Sequence, residues 1–225
     1  MTTQPRFELY SYWRTAATYR VRVALALKGL TWDEHNINLD AGEQRSEAFL
    51  KINPLGAIPA LIDRAPGQSQ TPITQSLAIL EYLEDIAPTP ALLPNDAAGR
   101  ARVRSIALAL AADTHPMITG RVKKYLVGEA GFDDVKFRAW QTNWLTTGFQ
   151  AVEKRLASEP ETGKCCHGDT ITHADICLAS LVAVMPIFKI EVPDIPTINR
   201  IMAKCMAHDA FVKAEPMRQA GAPKG

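Results

Sequence analysis

The sequence predicts an α/β domain followed by an all-α domain, and three observations predict it. Residues 7–75 alternate short strand-like runs with helical patterns. Pro88, Pro90 and Pro94 then interrupt the chain, and from Ala97 onward the long patterns are helical. The expected organisation is a first domain over 1–87, a linker over 88–95 and a helical domain over 96–225.

Each element has a local reason. Phe7 and Leu9 alternate with polar neighbours as a strand. Residues 18–28 read as an amphipathic helix that stops at Gly29, and residues 31–39 as an extended run with Trp32, His35, Ile37 and Leu39 as contacts. This is a βαβ opening. A short polar helix over 43–51 leads to a turn at Asn53-Pro54-Leu55-Gly56, and then to a strand over 57–63 broken by Pro59. Residues 63–70 read as a hairpin turn and 71–74 as its returning strand. A helix over 75–86 follows.

In the second half, helices are expected over 97–115, again after Pro116, and over 135–158, 174–186 and 195–208, with a frayed tail beyond Glu215. Thr172-His173-Ala174-Asp175 fits a capping box, with Ile171 and Ile176 spaced to staple it; its role is structural.

Composition excludes several function classes. The 225 residues are 47% hydrophobic, and 25 basic against 24 acidic residues leave a net charge of +1. Such a balance gives no bulk attraction to nucleic acid or to an anionic membrane. The N-terminus lacks a charged segment followed by an apolar one, and no apolar run is long enough to span a bilayer, so a cytoplasmic location is expected. Cys165, Cys166, Cys177 and Cys205 lack paired C-x-x-C spacing, which predicts reduced thiols, with Cys177 in the core, and no metal.

The most informative segment runs from Leu9 to Leu25. A strand leads through hydroxyls and Arg14 into a helix, which places Arg14 and Thr15 at a helix N-terminus. Such an end presents unpaired N–H groups and partial positive charge, and it can stabilise an anion, a thiolate included. The segment contains no cysteine, so the thiolate must come from elsewhere.

The order of elements is that of a thioredoxin-like fold followed by a helical half. Together with Leu9-Tyr10-Ser11-Tyr12-Trp13-Arg14, the run from Arg20 to Gly29, the run from Gln75 to Glu84 and the run from Pro88 to Pro94, it resembles the soluble glutathione transferases, and among them the zeta class, which includes maleylacetoacetate and maleylpyruvate isomerases. The resemblance implies glutathione as cofactor. Ile58 and Pro59 would form a cis peptide that leaves the backbone of Ile58 to pair with the tripeptide, and Gln75 and Ser76 would grip its γ-glutamyl carboxylate. Thr15 would donate to the sulfur, the catalytic role, which it shares with Arg14. Arg14 and Arg121 would also bind substrate, and His115 would lie near the junction of glutathione and substrate. Arg20 and Arg22 are expected in structural ion pairs. The implied reaction is thiolate addition to a cis double bond, rotation and elimination to the trans isomer of a diketo acid, in a homodimer.

Two segments depart from the class. Ser-Ser-Cys is usual where this chain reads Thr15-Ala16-Ala17, and an arginine is usual where Ile187 stands before Phe188. Ile187 cannot replace a charge-assisted bond to a substrate carboxylate unless Lys189 or Lys123 reaches in. Glutathione transfer to other small electrophiles such as α-haloacids is therefore a second reading, and non-catalytic glutathione binding a third. A thiol-disulfide oxidoreductase is least favoured, because Trp13-Arg14-Thr15-Ala16 carries no cysteine.

Overall fold

Strand β1 (Phe7–Ser11) forms where Phe7 and Leu9 point into the core, and helix α1 (Ala16–Leu27) follows it after four residues. The computed structural model describes residues 4–223. β2 (Trp32–Asn36), α2 (Glu47–Ile52), β3 (Ala60–Asp63), β4 (Ile73–Thr74) and α3 (Ser76–Ile86) complete the first α/β arrangement. The four strands lie in the order β2-β1-β3-β4. β1 is parallel to β2 and antiparallel to β3, and β3 is antiparallel to β4.

The expected helix and strands of this half are present, with shifted ends. α1 ends where Gly29 takes φ +65°, Leu30 N–H bonds Leu25 C=O and Gly29 N–H bonds Ala26 C=O, a Schellman close. The polar helix expected over 43–51 divides. Ser46 is extended and its Oγ accepts from Phe49 N–H, so a 3-10 turn (Glu43–Arg45) precedes α2 as a separate element. α1 is also less amphipathic than expected, since Ala16 and every residue from Thr18 to Leu25 are buried. Its cations therefore need partners inside. Arg22 binds Glu34 and Ser11, and Lys28 pairs with Glu84 at 2.8 Å while donating to the carbonyls of Ala87 and Pro90.

Residues 1–91 and 208–225 form one compact unit and residues 92–207 the other. The division falls inside the expected linker, but the C-terminal end differs from the expected helical domain of 96–225. Helix α11 (Asp209–Ala214) packs on α1, with Phe211 fully buried and its carbonyl accepting from Tyr19 Oη at 3.3 Å. Nor is the tail frayed beyond Glu215. Pro216 is buried in a 3-10 turn (Pro216–Arg218), and the Gln219 amide donates to the carbonyls of Lys213 and Glu215.

The second unit is helical: α4 (Ala97–Leu108), α5 (His115–Met117), α6 (Gly120–Gly128), α7 (Asp134–Ser158), α8 (His173–Val182), α9 (Met185–Phe188) and α10 (Pro196–Met206). The single helix expected over 97–115 is interrupted by a π turn (Ala109–Thr114). Pro116 would clash with the carbonyl of Ala112 in a regular helix, and a wide turn accommodates it. Gly148 of α7 lets the two elements approach, for a Cβ there would sit 2.1 Å from Thr114 Oγ1. Likewise the helix expected over 174–186 splits into α8 and α9. The capping box forms as expected. Asp175, fully buried, accepts from Thr172 N–H, Thr172 Oγ1 and Cys166 N–H at 2.7–2.8 Å. Among the described residues no helix is long and apolar enough to cross a membrane.

Asp63 locks β3 to its surroundings. Its carboxylate accepts from Arg6 Nε and Nη2, Tyr82 Oη and Ala65 N–H at 2.6–2.9 Å. Burial alone would raise its pKa, but these donors outweigh it and lower it to about 2. Because the folded pKa is depressed, the stabilisation is complete above the ordinary carboxylate value and is lost as pH falls through about 2. Asp63→Asn should therefore cost about 3 kcal/mol at neutral pH. It should also flatten the loss of stability between pH 4 and 2, and urea unfolding followed against pH checks both effects.

Candidate functional site

The sheet register fixes where the candidate residues of the first unit fall. β1 pairs Tyr10 with Ala60, and β3 pairs Ala60 with Thr74. The end of β1, the start of β3 and the end of β4 therefore lie at one end of the sheet. Continuing the ladder sets Ile58 and Pro59 beside Gln75 and Ser76, while Arg14 and Thr15 follow β1 by three and four residues. Ile58, Gln75 and Ser76 thus lie at the end of the sheet from which the chain leaves β1 toward Thr15.

Two helix N-termini open at this end, and neither is capped by its own side chain. The first N–H groups of a helix have no intrahelical carbonyl, so these ends keep donors for an external acceptor. Thr15 occupies the N-cap position of α1, yet its hydroxyl does not accept from the helix backbone. It lies 3.3 Å from Tyr12 O and 2.7 Å from Thr18 Oγ1.

At α3 the N-cap is Gln75, with φ +69° and ψ 115°. This region favours glycine, and a longer side chain held there stores about 1–3 kcal/mol of strain. Ser76 opens the helix, and its buried Oγ accepts from Arg20 Nη1 at 3.1 Å. The hydroxyl keeps its own proton to give. Arg20, expected only in a structural ion pair, is therefore also a buried cation behind Ser76. The sequence places Arg20 on the helix; only the fold shows that it is buried and what it meets.

The Ile58-Pro59 peptide is cis, as expected from the resemblance, and Thr89-Pro90, which the sequence did not single out, is cis as well. Ile58 is half-buried, and among the described residues its backbone N–H and C=O make no hydrogen bond. That free edge fits an extended peptide added as a strand. These features together fit glutathione: an unpaired backbone edge for its peptide, hydroxyl and N–H donors for a carboxylate, and a helix mouth for a sulfur.

Other groups at the mouth of α1 are committed. Tyr12 Oη donates to Asp40 Oδ2 at 2.6 Å, and burial followed by that bond raises the phenol's pKa. Arg14 pairs with Asp40 and stacks over the rings of Tyr12 and Trp13 at 5.5 and 5.7 Å. Both partners of that ion pair are partly exposed, so Arg14 can exchange Asp40 for a ligand carboxylate at small cost. No sequence signal pointed to Asp40, which comes from the loop after β2.

The cysteines are all free and buried. Burial pushes the Cys165 thiol up to about 11 and raises those of Cys166 and Cys205 further. None of these three supplies a thiolate at neutral pH. Among the described residues no group of three or more His, Cys, Asp or Glu could hold a metal ion.

The remaining candidates lie in the second unit. His115 is half-buried at the end of the π turn, where Trp140 Nε1 fixes α5 by donating to Met117 O at 2.7 Å. Arg121 is exposed on the first turn of α6. Ile187 is half-buried on α9, and the next two carbonyls, of Phe188 and Lys189, accept from Arg138 Nη1. Of the lysines considered as replacements for the missing arginine, Lys123 is paired with Asp134 at 3.1 Å and Lys189 is exposed.

Residues 5–85 match the family described as glutathione S-transferase, N-terminal domain, and residues 145–209 match glutathione S-transferase, C-terminal domain. A maleylpyruvate isomerase of Ralstonia sp is 38% identical over 94% of this chain and 98% of its own length. The maleylacetoacetate isomerase of Rattus norvegicus is 42% identical over 96% of this chain and 94% of its own. The crystal structure of a maleylacetoacetate isomerase from Methylobacterium extorquens AM1, with bound malonate and glutathione, superposes with a TM-score of 0.92 at 44% identity, covering 96% of this chain and all of that one. A holo maleylpyruvate isomerase, described as a bacterial glutathione transferase of the zeta class, superposes at 0.90 with 38% identity and covers 96% and 100%. The fold is thus that of the glutathione transferases. The chain belongs to the glutathione transferase family, in its zeta class.

The backbone at Gln75 carries a prediction of its own. Gln75→Gly should raise the unfolding free energy by about 1 kcal/mol, because relief of strain exceeds glycine's usual entropic cost of about 0.5–1 kcal/mol. Urea unfolding measures it.

Proposed function

We propose that the protein is a glutathione-dependent cis-trans isomerase of zeta type, acting on a diketo acid such as maleylacetoacetate or maleylpyruvate. The observation that carries this reading is the mouth of α1, where a hydroxyl and uncapped N–H groups stand in a segment that carries no cysteine of its own. The near full-length likeness to enzymes of those names supports it.

Glutathione, when bound, supplies the thiolate whose reversible addition lets a cis double bond rotate to trans. The chain's own residues hold and orient. Ile58 pairs backbone to backbone with the tripeptide, and Gln75 with Ser76 grips its γ-glutamyl carboxylate through α3's first N–H groups and the Ser76 hydroxyl. Thr15 Oγ1–H and the α1 N–H groups favour the ionised sulfur, lowering its pKa from a free-thiol value of about 8.5. Arg14 leaves Asp40 to take a substrate carboxylate. Arg121 is assigned to substrate and His115 to the cofactor side on the family resemblance. The same resemblance supports a homodimer, a cytoplasmic location and a place in aromatic amino acid breakdown.

Ile187 favours a second reading, transfer of glutathione to less charged electrophiles such as α-haloacids. The apolar side chain offers no fork to a second carboxylate.

Turnover of maleylacetone and of chloroacetic acids, each with and without glutathione, separates the readings. Glutathione-dependent isomerisation is expected; retention on immobilised glutathione without either activity would overturn both. Thr15→Ala should lower kcat/KM by about 100- to 1,000-fold while glutathione retention persists. Ile187→Arg should raise kcat/KM for a dicarboxylic substrate by about 10-fold or more, the worth of one charge-assisted hydrogen bond, and leave that for chloroacetic acids unchanged.

A further inference from the structure

Thr15 has one proton and two neighbours that could take it. Its Oγ1 is 2.7 Å from Thr18 Oγ1 and 3.3 Å from Tyr12 O. If Thr15 donated to Thr18, it would have nothing left for a sulfur. Burial decides the direction. Thr18 is 0% exposed, and among the described residues its hydroxyl makes no hydrogen bond except the one it shares with Thr15. A proton on Thr18 that did not point at Thr15 would be buried without an acceptor, which folded proteins avoid. Thr15, half-buried at the helix mouth, can place its own proton on an incoming group.

We propose that Thr18 is a positioning residue for the reaction: its buried hydroxyl donates to Thr15 Oγ1, so that the Thr15 proton is aimed at the glutathione sulfur. The spacing suits this, since residues three apart on a helix are neighbours, and Thr18's branched Cβ restricts its rotation. Accepting one hydrogen bond also polarises Thr15 O–H and makes it a better donor. The remaining competitor, Tyr12 O, lies at a distance longer than a good hydroxyl bond and yields readily. With alanine at positions 16 and 17, Thr18 is the nearest side chain along α1 able to do this. The inference rests on Thr15 as the sulfur's donor.

The test is the ionisation of glutathione bound to the full chain, read from thiolate ultraviolet absorbance against pH. The other polar groups of this region, Arg14, Tyr12, Asp40 and Arg20, stay in place throughout. Thr18→Val keeps the shape and removes the hydroxyl; it should raise the bound thiol's pKa by about 0.5–1 unit, a 3- to 10-fold loss of thiolate below that pKa. Thr18→Ser should restore it. In a Thr15→Val background the same change should do nothing, because Thr18 acts only through Thr15. Should Thr18→Val fail to fold, Thr18→Ala is read the same way. An unchanged thiol pKa in Thr18→Val, or a shift that Thr18→Ser does not reverse, overturns the proposal. If Thr15→Val alone leaves the thiol pKa unchanged, it is the assignment of Thr15 that has failed.

Discussion

Because β3 runs antiparallel between β1 and β4, the end of β1, the start of β3 and the end of β4 meet at one end of the sheet, and the site of the first unit depends on that register. A slip of one residue would turn every side chain of β3 to the opposite face. Asp63 guards against the slip. It binds Arg6 from the segment before β1 and Tyr82 from α3, so the far end of β3 is fixed to both neighbours while the near end presents Ile58. Lys28 does similar work behind the site by joining α1 to the end of α3 and to the chain beyond it.

Within that frame, the chemistry is arranged by hydrogen bonds that arrive from behind. Ser76 receives one from Arg20, and Thr15 shares one with Thr18. Both hydroxyls sit at helix N-termini whose N–H groups are uncapped. A capping side chain would satisfy those donors and weaken them for a ligand, so the stability of two caps, about 1 kcal/mol each, is forgone at this end. Caps are made on three helices of the second unit, by Asp96 on α4, Asp133 on α7 and the Thr172–Asp175 box on α8, while α6, α9 and α10 also begin without one.

Much of this was legible in the sequence because it is local. Gly29 ends α1, Thr172 and Asp175 start α8, and the proline-rich run from Pro88 marks the change from α/β to helix. What was illegible depends on contacts distant in the chain. Phe211 returns to Tyr19 across 192 positions, so the tail joins the first unit although its own pattern reads like the helices before it. Arg20 looked like a structural cation because nothing near it in sequence reveals Ser76. Asp40 left no signal, since one acidic residue in a polar loop is ordinary. The π turn before His115 lies between these cases: Pro116 warned of a break, but its form depends on Gly148 admitting Thr114.

The central claim is that one hydroxyl, Thr15 Oγ1, holds the sulfur of glutathione at the mouth of α1. A crystal structure of the complex tests it most directly. The account predicts the sulfur within about 3.5 Å of Thr15 Oγ1, with the Thr15 hydroxyl moved off Tyr12 O and still bonded to Thr18. A sulfur seated instead against Tyr12 Oη or Arg14, beyond hydrogen-bond reach of Thr15, would contradict it.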